Sequence, residues 1–131
     1  MRSRYSETDQ MGYVYNGHYL DYFEVARTEM IRSIGISYRT LEEQGIMFPV
    51  IESHIRYKKP LLYDDLMHIQ VMIFDKPVTK LKTYYKIRTA RTDEVHAIGR
   101  VILCFIDKEK RKPRRAPELF ITQLNKATQN E

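Results

Sequence analysis

The sequence predicts an α+β domain in which one long helix packs against an antiparallel sheet. Three observations carry this. Apolar residues recur at steps of three and four over a single stretch in the first third of the chain; the period switches to two after Gly45; and four strand-like segments then follow in succession, three alternating and the last apolar on both faces. The composition suits one globular domain spanning residues 1–131: 43% of the residues are hydrophobic and the net charge is only +5. A chain of this length buries roughly two-thirds of its unfolded surface and needs no disulfide or metal staple.

Taken in order, Arg2 to Glu7 reads as a short strand, and Thr8-Asp9-Gln10-Met11-Gly12 as a loop, since Asp and Gly favour turns. The long helix follows. Tyr19, Leu20, Phe23, Ala26, Arg27, Met30, Ile31 and Ile34 form its stripe, with Asn16 as N-cap and Gly35 as C-cap. Asp21 in the first turn and Arg32 in the last complement the helix dipole. A shorter helical turn is expected from Ser37 to Gln44, stopped by Gly45.

Ile51, Ser53, Ile55 and Tyr57 alternate with Glu52, His54, Arg56 and Lys58 in a strand that ends at Lys59-Pro60. Met67 to Ile73 gives a second strand and Lys80 to Thr89 a third, with Leu81, Thr83, Tyr85 and Ile87 on its buried side. Ala90 to Glu94 is read as a hairpin connection. The run Val95 to Ile106 is apolar on both faces apart from His96 and Arg100, which places it centrally in a sheet of about five strands. Pro117 to Lys126 is expected to add a terminal helix with Leu119, Phe120 and Leu124 as its apolar side.

The charge excess is local. Lys108, Lys110, Arg111, Lys112, Arg114 and Arg115, against Glu109 alone, carry the whole of it, and from about Lys108 the chain reads as a basic connection to a tail. A nucleic-acid reader usually spreads its cations over a face. A surface binder of nucleic acid or membrane that uses this one segment therefore stands beside the reading of a solvated linker. The lone Cys104 points to a reducing compartment, with cytoplasm the default. The first residues lack an apolar leader pattern, and no window reaches the ~20 apolar residues of a membrane span.

Groups able to do chemistry cluster ahead of and within the start of the long helix: Glu7, Asp9, Asn16, His18 and Glu24. Asp9 lies just before a helix N-terminus, where unpaired backbone N–H groups and the positive dipole end favour developing negative charge. A carboxylate facing such donors suits acyl transfer, attacking or activating water while the amides stabilise an oxyanion. The plainer reading of Asp9 is an Asx-turn residue, that of His18 a surface histidine rather than a proton shuttle, and that of Glu24 with Arg27 an ion pair positioning the helix. His18, His54, His68 and His96 are dispersed, so no metal site is predicted. Neither a Gly-rich phosphate loop nor a Gly-x-Ser-x-Gly elbow occurs in the sequence.

The segment Asp9-Gln10-Met11-Gly12-Tyr13-Val14-Tyr15-Asn16-Gly17-His18-Tyr19, followed by Tyr22-Phe23-Glu24-Val25-Ala26-Arg27, resembles the 4-hydroxybenzoyl-CoA thioesterase family of hotdog-fold proteins, in particular its bacterial acyl-CoA branch. Tyr57-Lys58-Lys59-Pro60 with Tyr63-Asp64-Asp65 is also similar to the family's strand end and loop, and the likeness spans roughly Arg4 to Ile106. It implies a long central helix wrapped by a curved antiparallel sheet, protomers paired edge to edge into a homodimer or a homotetramer, and active sites at the dimer interface. It further implies a thioester hydrolase without a cofactor, coenzyme A being part of the substrate. Asp9 would be the catalytic carboxylate, the Asn16 backbone N–H the polarising donor, and Gly12 the turn that brings the loop to the substrate. Several members of this branch carry a histidine where this chain has Asn16.

The phosphates of coenzyme A call for cations at the site entrance, for which Lys58, Lys59, Arg88 and Arg91 are the candidates, though each reads equally as a solvated strand-edge charge. Two further readings stand beside acyl-CoA hydrolysis: a thioesterase acting on acyl carrier protein, whose acidic surface the basic segment would suit, and a module that binds an acyl thioester without turnover. A dehydratase of the same fold ranks below these, since its His and acidic arrangement is not recognisable.

Overall fold

The computed structural model describes residues 18–62, 65–90 and 94–129. The expected strand at Arg2 to Glu7, the loop after it and the Asn16 cap lie outside these residues. Helix α1 runs His18–Ser33 and α2 Tyr38–Glu43. Strands β1 (Ile46–Met47), β2 (Val50–Tyr57), β3 (Met67–Met72), β4 (Lys80–Thr89), β5 (Val95–Cys104), β6 (Ile106–Asp107) and β7 (Lys112–Pro113) follow, and α3 (Glu118–Gln129) ends the order. Among the described residues the main sheet has four strands in the order β2-β5-β4-β3, so the apolar run is central as expected, and β1-β6-β7 form a small second sheet. β3 and β4 are antiparallel, with Met67 opposite Thr89 and Met72 opposite Tyr84.

Helix α1 ends as its glycine predicts. Gly35 has φ +88°, its N–H donates to the Arg32 carbonyl at 3.0 Å, and the Ile36 N–H donates to the Ile31 carbonyl at 3.2 Å. This pair of bonds satisfies two last-turn carbonyls and requires the left-handed residue between them. Helix α2 starts on Ser37, whose hydroxyl accepts from the Thr40 N–H at 3.1 Å, and stops before Gly45 at φ +76°. Two stripe positions differ from expectation. Leu20 is exposed and Tyr22 is buried, so the buried row of α1 is Tyr19, Phe23, Arg27 and Ile31 with Tyr22 beside it. Leu119 is exposed while Phe120 and Leu124, one turn apart, are buried; Leu119 lies a residue off their i, i+4 row.

Residues group into two compact units, each with its own packing. The first takes in the helix start up to Arg27, His54–Met72 and Tyr84–Arg100. Here Phe23 stacks on Tyr85 with ring centroids 4.5 Å apart. Gly99 also faces this ring: a Cβ there would overlap Phe23, so β5 lets the helix approach at that point only because it carries no side chain there. The second unit takes in Thr28–Ser53, Ile73–Thr83 and Val101–Glu131. Its core joins Ile31, Ile36, Leu41, Ile46, Leu81, Phe105, Ala116, Phe120 and Leu124. Phe48 stacks on Phe105 at 4.3 Å, and Phe120 meets Phe105 edge-on at 5.2 Å. Thr83 faces inward as its alternation requires, and its hydroxyl donates to the Val101 carbonyl at 2.8 Å, which removes the cost of burying it. Cys104 is buried in this unit, its thiol directed at the Phe105 carbonyl at 3.7 Å.

The basic segment is a hairpin and not the linker its composition suggested. β6 pairs with β7, Ile106 opposite Pro113 and Asp107 opposite Lys112. One Asp107 carboxylate oxygen accepts from the Glu109 and Lys110 N–H groups, both at 3.0 Å, and the Arg111 N–H closes the turn on the Asp107 carbonyl at 2.7 Å. Arg111 itself sits at φ +54°. A single Asp preceding five residues of mostly one sign thus supplies the turn chemistry that charge content hid.

Two measurements test this packing. Gly99→Ala should lower stability by about 1–3 kcal/mol through overpacking against Phe23, read as a shifted urea midpoint; an unchanged midpoint would show that the ring is free to move. The Lys110 amide, first among the groups that hold the Asp107 carboxyl below the ordinary carboxylate range, should report its titration. Because the folded value is depressed, the turn's stabilisation is present above the unfolded value and is lost as pH falls through the folded one. The Lys110 amide resonance should therefore move with a midpoint below that of an unstructured Asp, and should not move in Asp107→Ala.

Candidate active site

The first turns of α1 rest on an aromatic platform. Tyr19 is buried and meets Tyr57 edge-on at 4.9 Å and Tyr22 at 6.1 Å. Burial pushes the Tyr19 phenol up; the Leu61 backbone pulls the other way, and the neighbouring Tyr57 and Asp65 add to the rise. One turn further on, Arg27 is only 5% exposed, and its Nη1 donates to the Tyr85 hydroxyl at 3.1 Å, beneath the Phe23–Tyr85 stack. Arg27 therefore turns into the protein, whereas Glu24 is exposed; the positioning role expected of that pair is carried by Arg27 and Tyr85. His18 lies at the helix start, half-buried, with Nδ1 3.5 Å from the Asp21 carboxylate.

The end of β2 is held by one histidine. The His96 carbonyl accepts from both the Lys58 and the Lys59 N–H, at 2.9 and 3.1 Å. Its ring is buried, with Nδ1 3.1 Å from the Pro60 carbonyl and Nε2 3.2 Å from the Thr89 hydroxyl. A carbonyl only accepts, so Nδ1 carries the proton, and in the neutral ring Nε2 accepts from Thr89. His96 thus ties residues 58–60 to β4 and β5. Its place in an apolar run was visible in the sequence; that a buried imidazole must find partners for both nitrogens was the usable signal. Asp65 is buried too, accepting from the Leu62 N–H at 2.8 Å.

Of the expected site residues, Asp9, Gly12, Asn16 and Arg91 lie outside the described residues. Lys58 and Lys59 are exposed on the segment fastened by His96, and Lys59 forms an ion pair with Glu94. Arg88 is half-buried on β4 opposite His68, and by strand alternation it points to the face away from Thr89. Among the described residues no group of three His, Cys, Asp or Glu side chains is placed to hold a metal, and no helix is long and apolar enough to cross a membrane. In the second unit an apolar recess of about 350 Å³ is lined by Tyr38, Leu41, Ile46, Met47, Phe48 and Pro49, with Glu42 and Lys108 also at its wall.

This architecture has known counterparts. The family model of the thioesterase-like superfamily matches residues 3–124. The YneP protein of Bacillus subtilis (strain 168) is 37% identical over 110 residues, 84% of this chain and 79% of YneP. The acyl-CoA thioester hydrolase YbgC of Escherichia coli O157:H7 is 30% identical over 124 residues, 95% of this chain and 92% of YbgC. The crystal structure of the DHNA-CoA thioesterase from Staphylococcus aureus superposes with a TM-score of 0.85 at 30% identity, covering 99% of this chain and 86% of that one. The match over nearly the whole length, in sequence and in element order, shows that the chain belongs to the thioesterase-like superfamily of hotdog-fold proteins.

Proposed function

We propose that this protein is an acyl-CoA thioesterase, hydrolysing the thioester to a carboxylic acid and coenzyme A. The observation that carries the reading is the position of Asp9, Gly12 and Asn16 immediately ahead of α1, together with membership in a family whose relatives are named for this reaction. Asp9 acts on the thioester carbon, either by direct attack or by taking a proton from water. The Asn16 backbone N–H, at the positive end of the helix dipole, stabilises the oxyanion. The C–S bond then breaks, the thiolate takes up a proton, and water supplies the oxygen of the acid. Gly12 gives the loop its turn, and no metal or cofactor is needed.

The platform beneath α1 supports this by fixing the helix start: Tyr19, Phe23 and Arg27 are each held by partners on β2, on β4 or in the segment after β2. Lys58 and Lys59, with Arg88 and Arg91, are proposed as phosphate contacts, Lys58 and Lys59 being anchored through His96. The assembly is proposed to be a homodimer, or a homotetramer built from it, in the cytoplasm. Among the described residues β2 lies at one end of the main sheet and leaves Val50 and Ile51 each 48% exposed, which supports the dimer.

Free-thiol release from a panel of short, medium, long and aromatic acyl-CoAs tests the assignment. Asp9→Asn should reduce turnover at least about 100-fold with circular dichroism and oligomeric state unchanged, and chelators should leave the natural protein's turnover intact. Retained turnover in Asp9→Asn overturns the role of Asp9; binding without turnover on every acyl-CoA favours the non-catalytic module. Ile51→Lys should shift the mass measured by light scattering towards the monomer, whereas an unaltered mass would remove β2 from the interface.

A further inference from the structure

We propose that the β6–β7 hairpin and the loop between β3 and β4 form a docking surface for anionic phospholipid bilayers, by which the protein attaches peripherally to a membrane. Three observations put exposed apolar residues and exposed cations on segments joined by backbone hydrogen bonds. First, the hairpin presents Lys108, Lys110, Arg111, Lys112 and Arg115, all exposed, on a turn locked by the Asp107 carboxylate. Second, residues 73–79 are stitched to the same structure: the Ala116 N–H donates to the Val78 carbonyl at 2.6 Å, the Phe105 N–H to the Thr79 carbonyl at 2.9 Å, and the Arg114 N–H to the Phe105 carbonyl at 2.8 Å. Third, that loop exposes Phe74 by 71% and Val78 by 60%, flanking an exposed Lys76, and Leu119, just beyond Ala116 and Pro117, is 46% exposed.

Large apolar side chains exposed to this degree beside a block of like charge have the composition of an interfacial membrane element, whose apolar tips enter the headgroup boundary while the cations meet anionic lipid. Asp75, Asp107, Glu109 and Glu118 lie in the same segments, and the cations outnumber them. Nucleic acid explains the cations and Phe74 but offers nothing for Val78 and Leu119 to stack on or read. An acidic protein remains a distinguishable outcome below. The surface uses none of the groups assigned to thioester hydrolysis and lies in the second unit throughout.

The test is co-sedimentation of the full-length protein with vesicles of phosphatidylglycerol and phosphatidylcholine, against vesicles of phosphatidylcholine alone. Binding is expected only with the anionic lipid, and should weaken as salt rises from 50 to 500 mM, because surface charge is screened within roughly a Debye length. Lys110→Glu with Lys112→Glu should weaken partitioning by more than about tenfold, and Phe74→Ser with Val78→Ser by roughly five- to tenfold. Thioester turnover in solution should be unchanged in both variants, so failure here leaves the enzymatic reading untouched. No sedimentation with anionic vesicles at low salt, equal binding to neutral vesicles, or insensitivity to Phe74→Ser with Val78→Ser would overturn the proposal. So would saturable binding of an acidic carrier protein or a DNA duplex that displaces the protein from vesicles at lower concentration than lipid competes.

Discussion

The contact of the Phe23 ring with Gly99 and Tyr85 sets how closely the helix start can lie on the sheet. Protein interiors are packed to crystal-like density, so one missing Cβ on β5 is enough to fix that approach. Once the ring is seated on Tyr85, the tyrosine hydroxyl comes within reach of Arg27, and a cation that would be costly to bury unpaired gains an acceptor. The same strands carry Thr89 and His96, so the helix start and the end of β2 are positioned by one pair of neighbouring strands. For the role proposed for the Asn16 amide, displacement of the helix start would be displacement of the oxyanion donor.

Much of the fold was legible because it rests on period and punctuation. β4 spans Lys80–Thr89 with the expected faces, β5 is central, and Gly35 and Ser37 end and begin helices as their chemistry requires. These features depend on local sterics and on one buried face, both of which a single chain displays. The misreadings share another cause. Leu20 and Leu119 were assigned inward by hydrophobicity, although which side of a helix is covered depends on neighbours distant in sequence. The basic segment reads as a linker because its charges mask the one Asp that organises its turn.

The candidate site divides in the same way. The Asp9 to Arg27 motif was readable as a carboxylate and a turn glycine ahead of a helix, a pattern with a chemical reason, and it led to the right family. What holds the site was not readable. Nothing in the alternation of β5 distinguishes Gly99 from any other small strand residue, and the partners of His96 come from residues 36 positions upstream and seven upstream. Long-range satisfaction of buried polar groups is a property of the assembled structure, visible beforehand only as an obligation that some partner must exist.

Cys104 has a practical consequence. It is the one thiol in the chain, enclosed beside Phe105 in the second unit's core. An aromatic disulfide reagent added to the native protein therefore meets no accessible sulfhydryl, and any colour that develops during turnover belongs to the thiol of the released coenzyme A. The same reagent in denaturant gains a single equivalent as the core opens. The chain thus carries its own stoichiometric reporter of global unfolding, silent under the conditions in which its chemistry would be followed.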